Sequence, residues 1–185
     1  MNIYSLLSTI LNSGLFVFNC IYVLRGKSQS IASWGLWGVL VGIAAVTIAL
    51  QGGNYWLALT NAIGNGAVFL CILKSGDRSW TWFETTTLFM VLVCIVFWVT
   101  SGPRMATIMA TVAFVLAGFP QLKDTYKKPW NTSALLYSGY SISALLAVFA
   151  GKAWSVEERF FPGTLTFFNS LVAIVALRKL WVEQA

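Results

Sequence analysis

The sequence predicts an all-α membrane protein of seven transmembrane helices, arranged as two parallel three-helix bundles joined by a linker helix. Three observations carry that expectation. Seven apolar stretches, each near the roughly 20 residues that cross a bilayer core of about 30 Å, fill most of the chain. Hydrophobic residues make up 58% of it and charged residues 10%, where soluble domains carry roughly 45–50% and 25%. Finally, the first and last thirds of the chain repeat one another. Within lipid a backbone has to satisfy its own hydrogen bonds, so apolar runs of this length form helices.

The first stretch, Ile3–Leu24, is too long for a signal-peptide core and no Ala-x-Ala-like cleavage site closes it, so it is expected to stay as a helix. Ile31–Leu50 follows, with Gly35, Gly38 and Gly42 permitting close helix approach. The third stretch spans residues 55–73 and the fourth 83–100. A short connection at 101–104 leads to the fifth, 105–122, and the last two cover 132–150 and 160–179. The expected divisions are 1–74, 75–104 and 105–185.

The net charge of +6 is spread through the connections instead of gathering on one face, which argues against a nucleic-acid partner. Sorting the basic residues yields an orientation. After the first, third and fifth stretches and at the C-terminus stand Arg25, Lys27, Lys74, Arg78, Lys123, Lys127, Lys128, Arg178 and Lys179. The other side holds Arg104, Lys152 and Arg159, three against nine. The positive-inside rule then places the N-terminus outside and the C-terminus in the cytoplasm. The absence of soluble tails points to a multi-pass protein of the plasma (inner) membrane.

Several classes are excluded by what the chain lacks. Cys20, Cys71 and Cys94 have no metal-ligand spacing and read as small apolar packing residues; the chain contains no histidine. No metal and no cofactor is expected. A Ser/His or paired-Asp catalytic set is missing, so the chain does not read as an enzyme. A retinal photoreceptor needs a lysine halfway down its last helix, and Lys179 stands at the end. The six carboxylates, Asp77, Glu84, Asp124, Glu157, Glu158 and Glu183, all belong to connections or helix ends, with none expected to be buried. An ion-coupled carrier usually keeps an ionisable group within the span. Passive movement of a solute is therefore favoured.

The internal repeat has three landmarks. Residues 65–74 align without gaps on 169–178, so that Asn65 overlays Asn169 and Lys74 overlays Arg178. Lys27 corresponds to Lys127, and Ser33 with Trp37 corresponds to Ser133 with Tyr137. An unpaired fourth helix carries the chain back across the membrane, so both triplets start on the same side and lie parallel. Parallel repeats about an axis along the membrane normal describe one class of transporters, with a midplane cavity between the halves.

Near the end of the fifth stretch stands Phe119-Pro120-Gln121-Leu122-Lys123-Asp124-Thr125-Tyr126-Lys127-Lys128, followed by Thr132-Ser133 and Tyr137. This resembles the PQ-loop signature, and with the 3+1+3 plan the whole chain resembles the SWEET/PQ-loop superfamily of transporters. The equivalent first-half segment, 19–34, keeps a basic turn and serines but lacks Pro-Gln. The resemblance implies alternating access, in which two halves rock around a central solute site lined by asparagines and aromatic residues. Asn169 matches on the seventh helix. On the third, Asn65 matches by the repeat, and Asn61-Ala-Ile-Gly64 fits the family's Asn-x-x-Gly pattern. Of the family's flexible prolines only Pro120 matches cleanly, with Gln121 beside it as the candidate hinge or gate. Trp154 is the nearest counterpart of a family tryptophan.

An asparagine in a membrane helix serves as packing glue or as a solute contact, interhelical bonds of this kind being worth about 0.6–2 kcal/mol. Asn61 and Asn65, one turn apart on one face, share the contact role with Asn169. Trp37 and Thr47 on the second stretch, with Tyr137, Tyr140, Ser141 and Ser143 on the sixth, supply an aromatic face and hydroxyls, a wall that suits sugars and flat heterocycles alike. The expected cargo is a small neutral polar solute, a sugar first on family grounds. A vitamin-like nucleoside, an amino acid, or a non-transporting receptor or assembly role are the alternatives. Two repeats complete the unit, so a monomer suffices and a homo-oligomer stays open.

Overall fold

The computed structural model describes residues 2–25, 31–73, 80, 82–127 and 133–178. Lys27, Lys74, Asp77, Arg78, Lys128, Thr132, Lys179 and Glu183, with the side chain of Asp124, lie outside the described residues. The chain folds into α1 (Ile3–Leu24), α2 (Ile31–Leu50), α3 (Trp56–Ile72), α4 (Trp82–Lys127), α5 (Ala134–Ala150) and α6 (Phe161–Leu177). A wide π-type turn, Val156–Phe160, leads into α6.

Four helical segments are long and apolar enough to cross a membrane, namely α1, α2, α4 and Val156–Leu177, while α3 and α5 are shorter apolar helices. Large apolar side chains point outward all round the bundle, Ile10, Ile63, Val99, Leu135 and Phe167 among them. Such a continuous apolar exterior suits lipid and not water.

At 46 residues α4 would be about 69 Å long if straight. It is not straight. Gly102 takes φ 82 and ψ 178, a backbone region essentially reserved for glycine, and Pro103 follows in the first turn of the next segment. The expected connection at 101–104 is thus reduced to a single residue between two arms, 82–101 and 103–127. The path along α2 shows the reversal. Glu84 in the first arm bonds Ser33 near the start of α2, Thr107 in the second arm bonds Thr47 near its end, and the Phe114 ring lies 5.9 Å from that of Trp37. The chain climbs α2 and comes back down it.

The second arm ends later than expected, at Lys127 and not near 122, so Pro-Gln lies inside a helix and not at its end. Pro120 causes no departure from helical φ/ψ. The polar residues after it, Lys123 to Lys127, form helix as readily as connection.

α3 packs between α1 and α2, and α6 between α4 and α5. Across these groups α1 meets α5 and α2 meets α4. The closest helix approaches use glycine, and on α2 Gly35 bears out the expectation, a Cβ there meeting the Phe69 ring at 3.3 Å. A Cβ on Gly64 would stand 2.6 Å from Phe16 Cδ1, one on Gly118 2.8 Å from Phe168 Cε1, and one on Gly139 2.7 Å from Leu15 Cδ2. Gly38 makes only ordinary contact, and Gly42 faces open space. The main core gathers Leu40, Ala44, Ile48, Leu57, Phe161 and Leu165 around α2, α3 and α6.

Candidate functional site

Polar residues buried inside this apolar bundle mark its interior. On α1, Ser5, Ser8, Asn12 and Asn19 are all nearly inaccessible. Their spacings of three, four and seven keep them on one helical face. α3 adds Asn61 and Asn65, and α6 adds Asn169. Asn61 donates through Nδ2 to the Leu57 carbonyl at 2.9 Å, and Asn65 to the Asn61 carbonyl at 2.7 Å. Both bonds stay within α3 and neither uses the side-chain oxygens. Among the described residues Asn169 has no side-chain hydrogen-bond partner.

These three amides line one cavity where α1, α2, α3, α4, α5 and α6 converge. Phe168 and two sets of touching rings line it, Trp34, Trp37 and Phe114 in one and Phe16, Tyr140 and Tyr137 in the other. The Tyr140 hydroxyl is buried with no hydrogen-bond partner, although the Asn19 amide lies beside it without reaching bonding geometry. Such an unpaired group costs about 1–3 kcal/mol, which a solute hydroxyl or a water would offset. The free volume is about 50 Å³, room for roughly three to five waters at about 10–15 Å³ each.

The cavity leans to one side. Trp34 and Tyr137 belong to the first turns of α2 and α5, on the face opposite the N-terminus. Toward the amino-terminal face the helices are stitched shut. The Ser8 hydroxyl donates to the Ser143 carbonyl at 2.8 Å, and the Ser143 hydroxyl to the Ser8 carbonyl at 3.0 Å. On the other seam Thr47 Oγ1 lies 2.8 Å from Thr107 Oγ1, and Gln51 Nε2 donates to Thr107 Oγ1 at 2.9 Å. Asn12 donates to Thr60 Oγ1 at 3.0 Å.

Of the residues expected from the sequence, the structure brings together Asn61, Asn65, Asn169, Trp37, Tyr137 and Tyr140. Others stand elsewhere. Ser141 holds α5 to α6, its hydroxyl 2.6 Å from that of Ser170 and donating to the Thr166 carbonyl. Trp154 is 86% exposed with the Arg159 guanidinium 4.1 Å above its ring. Pro120 and Gln121 lie within the unbroken second arm and outside the cavity wall, and Gln121 Nε2 donates to Thr125 Oγ1 at 3.2 Å. The expectation that no carboxylate is buried also needs correction. Glu84 and Glu158 do sit at helix ends, but neighbours cover them: Ser33 Oγ donates to Glu84 Oε1 at 3.0 Å and the Lys152 amide to Glu158 Oε2 at 3.3 Å. Neither lines the central cavity. Sequence reasoning missed Phe16, Asn12 and Asn19, and it named Ser143 and Thr47 as candidate cavity hydroxyls without their partners Ser8 and Thr107, with which they form seams between helices. The signal was there in α1, as polar residues at helical spacing inside an apolar run.

The chain matches no protein-family model, no curated protein and no solved structure.

Proposed function

We propose that this protein is a membrane facilitator that moves a small neutral polar solute by alternating access, through the cavity between two like-oriented three-helix units joined by the 82–101 helix. A sugar is the first candidate, on the resemblance to the SWEET/PQ-loop group. The observation that carries the reading is the cavity itself, where Asn61, Asn65 and Asn169 meet the unpartnered Tyr140 hydroxyl. Donors and acceptors without protein partners, set in an aromatic wall, are the features of a site that receives a polar ligand.

The neighbour pattern supports the 3+1+3 plan. Exchanging α1 with the second arm, α2 with α5 and α3 with α6 turns every major helix contact into another one that is present. The α1–α3 contact becomes the α4–α6 contact, and α1–α5 becomes α4–α2. Even the Phe16–Gly64 contact has a counterpart at Phe168–Gly118, with ring and glycine traded between the partner helices. Passive transport fits a cavity wall without a carboxylate. The amino-terminal face is the outer one on this reading, by the charge distribution of the connections.

One observation favours a second cargo. Seven of the eleven wall residues are aromatic, which suits a flat heterocycle carrying a ribose as well as it suits a sugar. Uptake into liposomes containing the purified chain decides the matter, with labelled mono- and disaccharides, nucleosides and amino acids in parallel. Movement of one class down its gradient, reduced in Asn169→Ala, is the expected result. If no solute equilibrates faster than in empty liposomes, the carrier reading fails and a receptor or assembly role takes its place.

A further inference from the structure

The amino-terminal face holds a second hollow, of about 120 Å³. It lies where α1 and α3 begin and α2 and α5 end, lined by Asn2, Ser5, Asn54, Trp56, Lys152 and Glu158. Part of this lining is committed to structure. Asn2 Nδ2 donates to the Ala150 carbonyl at 2.8 Å, its Oδ1 accepts from the Ser5 amide, and Ser5 Oγ donates to Asn54 Oδ1 at 3.2 Å. These bonds tie α1 to α5 and to the turn before α3, and fix the rim. The remainder is free to bind. Glu158 is buried, and among the described residues only the Lys152 amide reaches it, at Oε2. No such bond engages its Oε1 or the Asn54 Nδ2.

Glu158 Oε1 opens onto the hollow and takes no donor from the described residues, so water or a solute has to supply one. That oxygen shares the hollow with an idle amide donor and the indole of Trp56. Acceptor, donor and apolar face together suit a solute that carries several hydroxyls on a C–H surface. The hollow is also in line with the central site. Ser5 opens onto it, Ser8 one turn on closes the seam to Ser143, Asn12 bonds Thr60, and Phe16 belongs to the cavity wall. One face of α1 therefore connects the two hollows.

We infer that this hollow is a second binding site, at which a neutral hydroxyl-bearing solute docks through Glu158 Oε1 and Asn54 Nδ2 before the Ser8–Ser143 seam opens toward the central cavity. Its place on a transport route rests on the carrier reading; binding at the hollow does not. The test uses the full chain in liposomes with Lys152→Cys as a reporter, since Lys152 borders the hollow without a role in the proposed contacts. Reaction of that thiol with a membrane-impermeant maleimide is timed with D-glucose, sucrose, uridine or L-alanine present, against the parent chain as the background for Cys20, Cys71 and Cys94. At least one hydroxyl-bearing probe should slow labelling, about tenfold at ten times its Kd by mass action. Glu158→Gln, which keeps an acceptor for the Lys152 amide, should abolish that protection, whereas Asn169→Ala should retain it. Protection by no hydroxyl-bearing probe, protection by L-alanine alone, or full protection in Glu158→Gln would overturn the proposal. Uptake without protection removes this site and leaves the carrier reading standing. Protection without uptake does the reverse.

Discussion

Replacing Gly118 with alanine places a methyl group against the Phe168 ring, which already fills that space. The new Cβ would stand 2.8 Å from Cε1 and 3.1 Å from Cε2, and nearer still to Cζ. Carbon atoms settle at about 3.5–4.0 Å, so the ring or the helix has to retreat by at least about 0.7 Å. Phe168 is 5% exposed and borders Asn169, which leaves it little room. Overpacking of this kind costs about 1–3 kcal/mol, and at roughly 2–4 °C per kcal/mol the unfolding midpoint falls by about 2–12 °C. The assay is thermal unfolding of the purified protein in detergent, with Gly66→Ala as the control. Nothing lies within 4 Å of a Cβ at Gly66, so that variant gains up to about 0.5–1 kcal/mol from helix propensity. Phe168→Leu in the Gly118→Ala background should recover part of the loss, because the smaller side chain vacates the contested volume. Equal midpoints for Gly118→Ala and Gly66→Ala would refute the reasoning, since the seam between the second arm and α6 would then not be tight.

Ser8→Ala and Thr47→Val each remove an interhelical hydroxyl bond and should lower the unfolding midpoint by the equivalent of about 0.6–2 kcal/mol, while speeding thiol labelling of an Asn12→Cys reporter from the amino-terminal side. Gly102→Ala forces a side chain into φ 82, ψ 178 and should cost about 1–3 kcal/mol by the same thermal assay, whereas Pro120→Ala, in unbroken helix, should leave stability equal or raised. Asn169→Ala should reduce liposome uptake far more than Ser141→Ala, since Ser141 bonds Ser170 and Thr166 away from the cavity; equal losses would place the site elsewhere.

The apolar stretches were legible because lipid imposes a length and a composition together, and α1 and α2 begin and end where hydropathy changes. The join between 101 and 103 was less so. Ser-Gly-Pro reads as a connection, yet how few residues it takes depends on one glycine adopting a backbone angle that composition does not reveal. The end of the second arm was misplaced for a related reason. Proline and lysine mark a boundary on average, and here the helix runs on to Lys127. Asn61, Asn65 and Asn169 were found because an amide within an apolar run is conspicuous. Ser8 and Thr107 were passed over because a small hydroxyl in an apolar run carries little signal, and only the facing helix turns it, with Ser143 or Thr47, into a seam. Ser141 and Tyr140 are neighbours in sequence, but about 100° of helical rotation separates them, enough to send one to the cavity and the other to α6.

The stripe on α1 also bears on how the nascent chain assembles. Asn12 finds its partner 48 residues further on, and Ser8 finds its own 135 residues further on. At roughly 5–20 residues per second, the second wait lasts about 7–27 s after the ribosome has delivered α1. Until α3 arrives the Asn12 amide, and throughout the longer interval the Ser8 hydroxyl, wait without the partners they take in the folded chain, so the earliest steps of biogenesis are the ones most sensitive to substitutions on this one face.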